Sequence, residues 1–192
     1  MVKLRQRKEK TMNNSLKLGF KLFLITSITA FALALTNNAT QPIIEAKAQE
    51  KLQESLGVVF PADNYEEVDV ADKPETLEKI YKATGADGEG YVFQINSPGG
   101  YGGAIEYLIG VDAEHKITGF APLNHAESAG FGKNMEEDAF KEGVKGVSMD
   151  GEVKASESGS ETEIVGISGA TISTNTILRG INDAGKVLGE LK

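Results

Sequence analysis

GYVFQINSPGGYGGAIEYLIGVDAEHKITGFA, residues 90–121, decides the fold class. Gly90–Asn96 (GYVFQIN) alternates apolar and polar residues at the two-residue period of a half-buried strand. Ala104–Val111 (AIEYLIGV) and Ile117–Ala121 (ITGFA) read as second and third strands. The links between them are the glycine-rich loop Ser97–Gly103 and the turn Asp112–Lys116, both short enough for antiparallel neighbours. An antiparallel meander is expected, entered through an Asp87-Gly88 turn signal.

Toward the carboxyl terminus, the loop Leu123–Asn134 (LNHAESAGFGKN) precedes a short helix expected around Glu136–Lys141. Residues 154–163 (KASESGSETE) are polar and read as an exposed connection. Ile164–Ile167 is a short strand, and a closing helix is expected from about Ser173 to Leu191, with Ile177, Ile181, Ala184, Leu188 and Leu191 as its apolar stripe. Toward the amino terminus, Tyr65–Val70 alternates in part, and Leu77–Ala83 fits either helix or strand. Strands and helices that do not strictly alternate give an α+β domain, an antiparallel sheet flanked by helices over residues 61–192.

Ahead of that domain lies LFLITSITAFALAL, Leu22–Leu35, without a charge. Residues 16–36 are long enough to cross a hydrocarbon core of roughly 30 Å, and the basic residues 1–15 place the amino terminus in the cytoplasm. A cleavable signal peptide, cut near Ala46-Lys47-Ala48, is the rival reading. Both export the remaining chain. Thr40-Gln41-Pro42 looks like the cap and first turn of a separate linking helix within residues 37–60, with Gly57 as its stop.

Charge divides the same way. Residues 1–21 hold seven of the 20 basic groups and one of the 28 acids, so the remainder carries 13 against 27. So acidic a body repels phosphate backbones, and nucleic acid is not an expected partner. The absence of cysteine excludes disulfides, thiolate iron–sulfur clusters, c-type haem and a cysteine nucleophile.

Ile164–Thr176 (IVGISGATISTNT) runs strand, small-residue turn, helix start. The amides that open a helix lack intrahelical partners and favour an anion such as phosphate. Ser168, Gly169 and Ala170 let a ligand approach the backbone, and Thr171 places a hydroxyl beside it. From local chemistry alone a tight turn followed by a helix capped at Ser173 stays open. Two other motifs fit poorly. Gly99–Gly103 is followed by a strand, not the helix of a dinucleotide site. Gly166–Ala170 comes near a hydrolase elbow, yet both histidines precede it.

Ser168-Gly169-Ala170-Thr171 resembles the flavinylation motif Asp-x-x-Ser/Thr-Gly-Ala-Thr/Ser of the FMN-binding domain family. Residues Gly100–Gly132 are similar to that family's Gly-Tyr-x-Gly-x-Ile strand, its glycine-bearing hairpin and its His-x-Glu-Thr-Pro-Gly-Leu-Gly loop, here His125, Glu127, Ser128, Ala129, Gly130, Phe131 and Gly132. The family includes the RnfG component of Rnf ferredoxin–NAD oxidoreductase complexes and the NqrC component of the sodium-pumping NADH–quinone reductase. The short chain fits the RnfG branch. The resemblance implies FMN joined through a phosphoester to Thr171, installed by a flavin transferase. It implies a cofactor site including Ser168, Gly169, Ala170, His125, Glu127, Ser128 and Gly130, with Tyr101 near the ring.

It further implies an electron-carrying component of a membrane-bound, ion-translocating complex, with other membrane subunits as partners and no catalysis by the chain alone. An anchored flavoprotein outside such a complex and a non-redox anchored binding module are the alternatives. The sequence departs from the family at Val165, where the motif has Asp, and at Ala129, where the loop has Pro. His115 and Arg179 read as solvated.

Overall fold

The computed structural model describes residues 2–85 and 88–191, with side chains from Asn14 onward. Asp87 of the expected turn and the charged groups of residues 3–10 fall outside what is described. The chain divides into two compact units, residues 1–49 and 50–192.

The first unit belongs to one long helix, α1 (Val2–Val59), whose last ten residues lie in the second unit. Within α1 a stretch beginning at Asn14 is long and apolar enough to cross a membrane, with a mean hydropathy of 2.0 over its most apolar window. Leu16, Phe20, Phe23, Phe31 and Leu33 along it are exposed, as suits a lipid-facing segment. The expected helix start at Thr40 is not observed, because α1 passes through Pro42 unbroken. The Thr40 hydroxyl turns back onto the Thr36 carbonyl at 3.0 Å, one turn earlier, instead of capping the amides ahead. Nor does Gly57 stop the helix, which ends two residues later at Val59.

The second unit is built on a five-stranded sheet in the order β1 (Asn64–Val68), β2 (Leu77–Gly85), β3 (Gly88–Gly100), β4 (Gly103–Asp112), β5 (Ile117–Asn124). Every neighbouring pair is antiparallel, so the three expected strands are the centre of a larger meander. Leu77–Ala83 resolves as strand. Its helix-or-strand ambiguity has a cause: Ile80 and Tyr81 are successive residues facing opposite sides, and both are buried. Burial on both faces removes the alternation that identifies a strand.

One face carries Ile80, Phe93, Ile95, Tyr107, Ile109 and Phe120 in a core with α2 (Asp138–Val144) and α3 (Thr171–Leu188). The other carries Tyr81, Ala83, Val92, Leu108 and Ala121, covered by Leu52, Leu56, Val59 and Phe60 from the end of α1 and just beyond. There the backbone of Val59 sits on a glycine pair, Gly110 and Gly119, that are partners across β4 and β5. A Cβ on Gly110 would lie 2.3 Å from the Val59 oxygen, and one on Gly119 would lie 2.6 Å from its Cα. The Thr118 hydroxyl donates to the same oxygen at 2.6 Å.

After β5 the expected short helix appears as a 3-10 turn (Gly132–Glu136) followed by α2. The polar stretch 154–163 is less open than expected. Its start forms β6 (Lys154–Ser156), which pairs in parallel with β7 (Glu163–Val165). The closing helix starts at Thr171, two residues before the position expected from sequence, and buries Ile177, Ile181, Ala184 and Leu188 against the sheet.

Candidate functional site

Three segments distant in sequence converge at one end of the sheet: the β3–β4 turn, the loop after β5, and the turn into α3. They line a cleft of about 300 Å³ formed by Tyr101, Glu127, Ser128, Phe131, Gly132, Gly169, Ala170, Ile172 and Ser173. Ligand pockets usually run from roughly 300 to 1,000 Å³, so the cleft is at the small end of that range.

The turn into α3 is drawn tight by the Ala170 amide, which donates to the Ile167 carbonyl at 3.0 Å. Gly169 sits at φ +71°, a left-handed conformation that residues with a Cβ rarely adopt. The Phe131 ring packs over it, 3.3 Å from where a Cβ would be. Thr174 locks the entry by accepting the Ile167 amide on its hydroxyl at 3.0 Å. The first in-helix bond of α3 runs from the Thr174 amide to the Ala170 carbonyl. The amides of Thr171, Ile172 and Ser173 therefore precede the helical ladder. No side chain caps them from Ala170. Nor does Ser173 act as the cap that local chemistry allowed. Its hydroxyl donates instead to Glu127 Oε2 at 2.6 Å. An uncapped amino terminus beside a cleft is suited to an anion.

Glu127 ties the segments together. It is 8% exposed. Its Oε1 accepts the Gly102 amide from the β3–β4 turn at 3.0 Å, and its Oε2 takes the Ser173 hydroxyl from α3. His125 acts behind the loop and is not among the residues lining the cleft. Its Nδ1 accepts the Glu127 amide at 3.3 Å, so the proton rests on Nε2, which lies 2.9 Å from Glu136 Oε1. Gly130, at φ +78°, turns the loop so that Phe131 and Gly132 face the cleft.

Of the residues singled out by sequence, Tyr101, Glu127, Ser128, Gly169 and Ala170 line the cleft. Thr171 is exposed as the first residue of α3, between the lining residues Ala170 and Ile172. Ser168 is exposed on the preceding turn, and neither it nor Gly130 lines the space. Sequence reasoning gave no cleft role to Ile172 or Ser173. Ile172 carried a usable signal, an apolar residue off the buried stripe of α3, and it is 53% exposed. Arg179 is exposed, as expected, and also donates to the Pro98 carbonyl at 2.7 Å, which ties the β3–β4 loop to α3. His115 is paired with Asp150 at 2.7 Å.

The arrangement fits FMN on its own chemistry. The unladdered amides of α3 and the small turn before it suit the phosphate, and the exposed rings of Tyr101 and Phe131 with Ile172 suit a flat, largely apolar ring system.

Comparison with known proteins agrees. Residues 100–186 match the FMN-binding domain family, and residues 8–59 match the RnfG N-terminal region. The G component of the Na(+)-translocating ferredoxin:NAD(+) oxidoreductase complex of Acetobacterium woodii is 31% identical over 183 residues, covering 86% of this chain and 87% of that protein. Its counterpart in the proton-translocating ferredoxin:NAD(+) oxidoreductase complex of Clostridium ljungdahlii is 26% identical, covering 92% of this chain and 93% of its own. The G component of the ion-translocating oxidoreductase complex of Cereibacter sphaeroides is 36% identical over 68% of this chain, which spans 64% of that protein's length. Among solved structures, the C component of the Na(+)-translocating NADH-quinone reductase from Parabacteroides distasonis shares the fold. Its TM-score is 0.50 at 21% identity, over 59% of this chain and 63% of that one.

Proposed function

The chain belongs to the RnfG family of ion-translocating oxidoreductase (Rnf) complexes and carries its FMN-binding domain, and from that premise we propose that it holds FMN covalently on Thr171 as a fixed electron carrier. Bound flavin supplies reversible electron transfer, and the protein supplies position and environment. The chain is an electron-transfer flavoprotein of the complex, associated with the membrane, and the complex's other subunits are its partners.

The observation that carries the covalent reading is the uncapped start of α3. The Thr171 hydroxyl stands at the first helical position, where the amides of residues 171–173 neutralise a phosphate through their unpaired N–H groups and the helix dipole. A phosphoester there forms where its charge is already accommodated. Glu127 holds the β3–β4 turn against α3, so Tyr101, Phe131 and Ile172 line one cleft. Ser128 offers a hydroxyl on the same wall. A flavin transferase is the maturation partner this chemistry requires. The positive head of residues 1–21 puts the amino terminus in the cytoplasm and the FMN domain outside.

The test is the intact mass of the full chain produced with the transferase, beside a Thr171→Val variant. The wild type is expected to gain roughly 440 Da, one FMN less water, as a covalently carried cofactor, and the variant to gain nothing. An equal gain in both would move the attachment elsewhere. No gain in either would return the chain to a non-covalent or unflavinylated module.

A further inference from the structure

Glu127 is placed unusually for a carboxylate. It is 8% exposed, it borders the cleft, and among the described residues no basic side chain forms an ion pair with it. Its two oxygens are held by an amide and a hydroxyl, from Gly102 and Ser173. Space has been cleared around it. A Cβ on Gly100 would come 2.6 Å from Oε1, and one on Gly132 would come 2.2 Å from Oε2. Two glycines and two donors thus accommodate a charge that the fold does not neutralise with a cation. Burial without a counter-ion costs stability, and an apolar residue of similar size would have closed the same gap. Nor does binding a phosphate account for the charge, because a carboxylate beside an anion site opposes the anion.

Resting on the flavin reading above, we propose that Glu127 sets the redox potential of this site, its negative charge holding the cleft's occupant at a low potential. Reduction adds negative charge to the flavin, and a fixed carboxylate on the cleft wall opposes that addition. Glu127 is itself buried, so the opposition is screened less than between two solvated charges. The hydrogen bonds from Gly102 and Ser173 keep the charge at one position through every turnover, so Glu127 is a positioning residue with an electrostatic consequence.

The experiment measures the midpoint potential of flavin-loaded full chain against reference dyes, for wild type, Glu127→Gln and Glu127→Asp. Glutamine keeps both contacts, since its oxygen accepts from Gly102 and its amide donates to the Ser173 hydroxyl. It removes the charge and reverses the direction of the Ser173 bond, which the Glu127→Asp comparison controls for. Aspartate keeps the charge and shortens the reach. Glu127→Gln is expected to favour reduction at least tenfold, about 30 mV for a two-electron couple, while Glu127→Asp stays at or below the wild-type potential.

A Glu114→Gln control removes an exposed acid at the far end of β4, whose ten residues at roughly 3.3 Å each span about 30 Å. It is expected to leave the potential unchanged. If Gln and Asp raise the potential equally, the contacts matter and the charge does not, and the proposal is overturned. An unmoved potential in Glu127→Gln overturns it as well. Should Glu127→Gln fail to load, Glu127→Asp still decides, because a raised potential there refutes the charge argument. Wild-type chain that takes up no flavin would instead defeat the flavin reading, by the mass measurement already described.

Discussion

At the scale of single residues, Val165 is the departure that matters most. It ends β7 and is 43% exposed, with its side chain beside Gly159 on the outer surface. An aspartate there would be solvated and would lose no core contact, so the fold has no stake in which residue stands at 165. What the family resemblance attaches to that position is recognition by the transferase. Val165→Asp is therefore expected to leave unfolding free energy within about 0.5 kcal/mol, as for other surface changes, and to raise the fraction of chain flavinylated at limiting transferase. Urea unfolding and intact mass check the two halves. A stability loss with no gain in attachment would show that Val165 serves packing after all. Site residues were readable in proportion to how local their roles are. The small turn 168–171 announces itself by residue size alone. Glu127 needed the resemblance to be noticed, because its partners Gly102 and Ser173 lie 25 and 46 residues away. The cap that local chemistry left open at Ser173 is not made for the same reason: a serine near a helix start looks like a cap until a distant acceptor claims its hydroxyl.

At the scale of elements, Tyr107 joins sheet to helix and makes the junction sensitive to alkali. It is fully buried on β4, stacks 5.1 Å from Phe120, and donates its hydroxyl to the Ile177 carbonyl of α3 at 2.6 Å. Burial, reinforced by the charge of Asp183, pushes its phenol well above the ordinary value. A pKa raised in the folded state gives stability that is complete below the unfolded value and lost as pH climbs beyond it. The unfolded phenol ionises near pH 10. The full chain in detergent is expected to lose unfolding free energy steeply above about pH 10, and Tyr107→Phe to flatten that limb by one proton's worth. At neutral pH the variant should cost about 1 kcal/mol for the lost hydrogen bond. An unchanged alkaline slope would mean that Tyr107 does not control it. The central strands β3 and β4 were readable although they too bury both faces, at Val92 and Phe93 and at Leu108 and Ile109, because glycine-rich and charged turns bracket them. β2 was ambiguous because its centre is buried on both sides, and β6 was hidden because a three-residue polar strand carries no period of its own, whereas β7 overlaps the strand expected at Ile164–Ile167. Pro42 misled for a different reason: proline at a helix start and proline within a helix look alike in sequence, and only the preceding residues' hydrogen bonds separate them.

At the scale of the whole molecule, charge asymmetry and the apolar stretch of α1 together support the proposed topology. The basic residues precede the span and the acidic body follows it, so translocating the body satisfies the positive-inside rule and translocating the head violates it. The absence of native cysteine makes the topology directly measurable. A single cysteine placed at Glu114, exposed between β4 and β5, is expected to react with a membrane-impermeant maleimide in right-side-out vesicles. One placed at Lys8 should react only after detergent is added. The reverse pattern would put the FMN domain on the cytoplasmic side and remove the need for an extracytoplasmic transferase. Loss of the Lys8→Cys label together with a shorter chain would favour cleavage near Ala48 over a retained anchor. With the expected pattern, a cofactor carried outside the cytoplasm has no free pool from which to be replaced. A phosphoester at Thr171 then answers a physical need, because a flavin held only by a cleft of about 300 Å³ is lost for good once it dissociates.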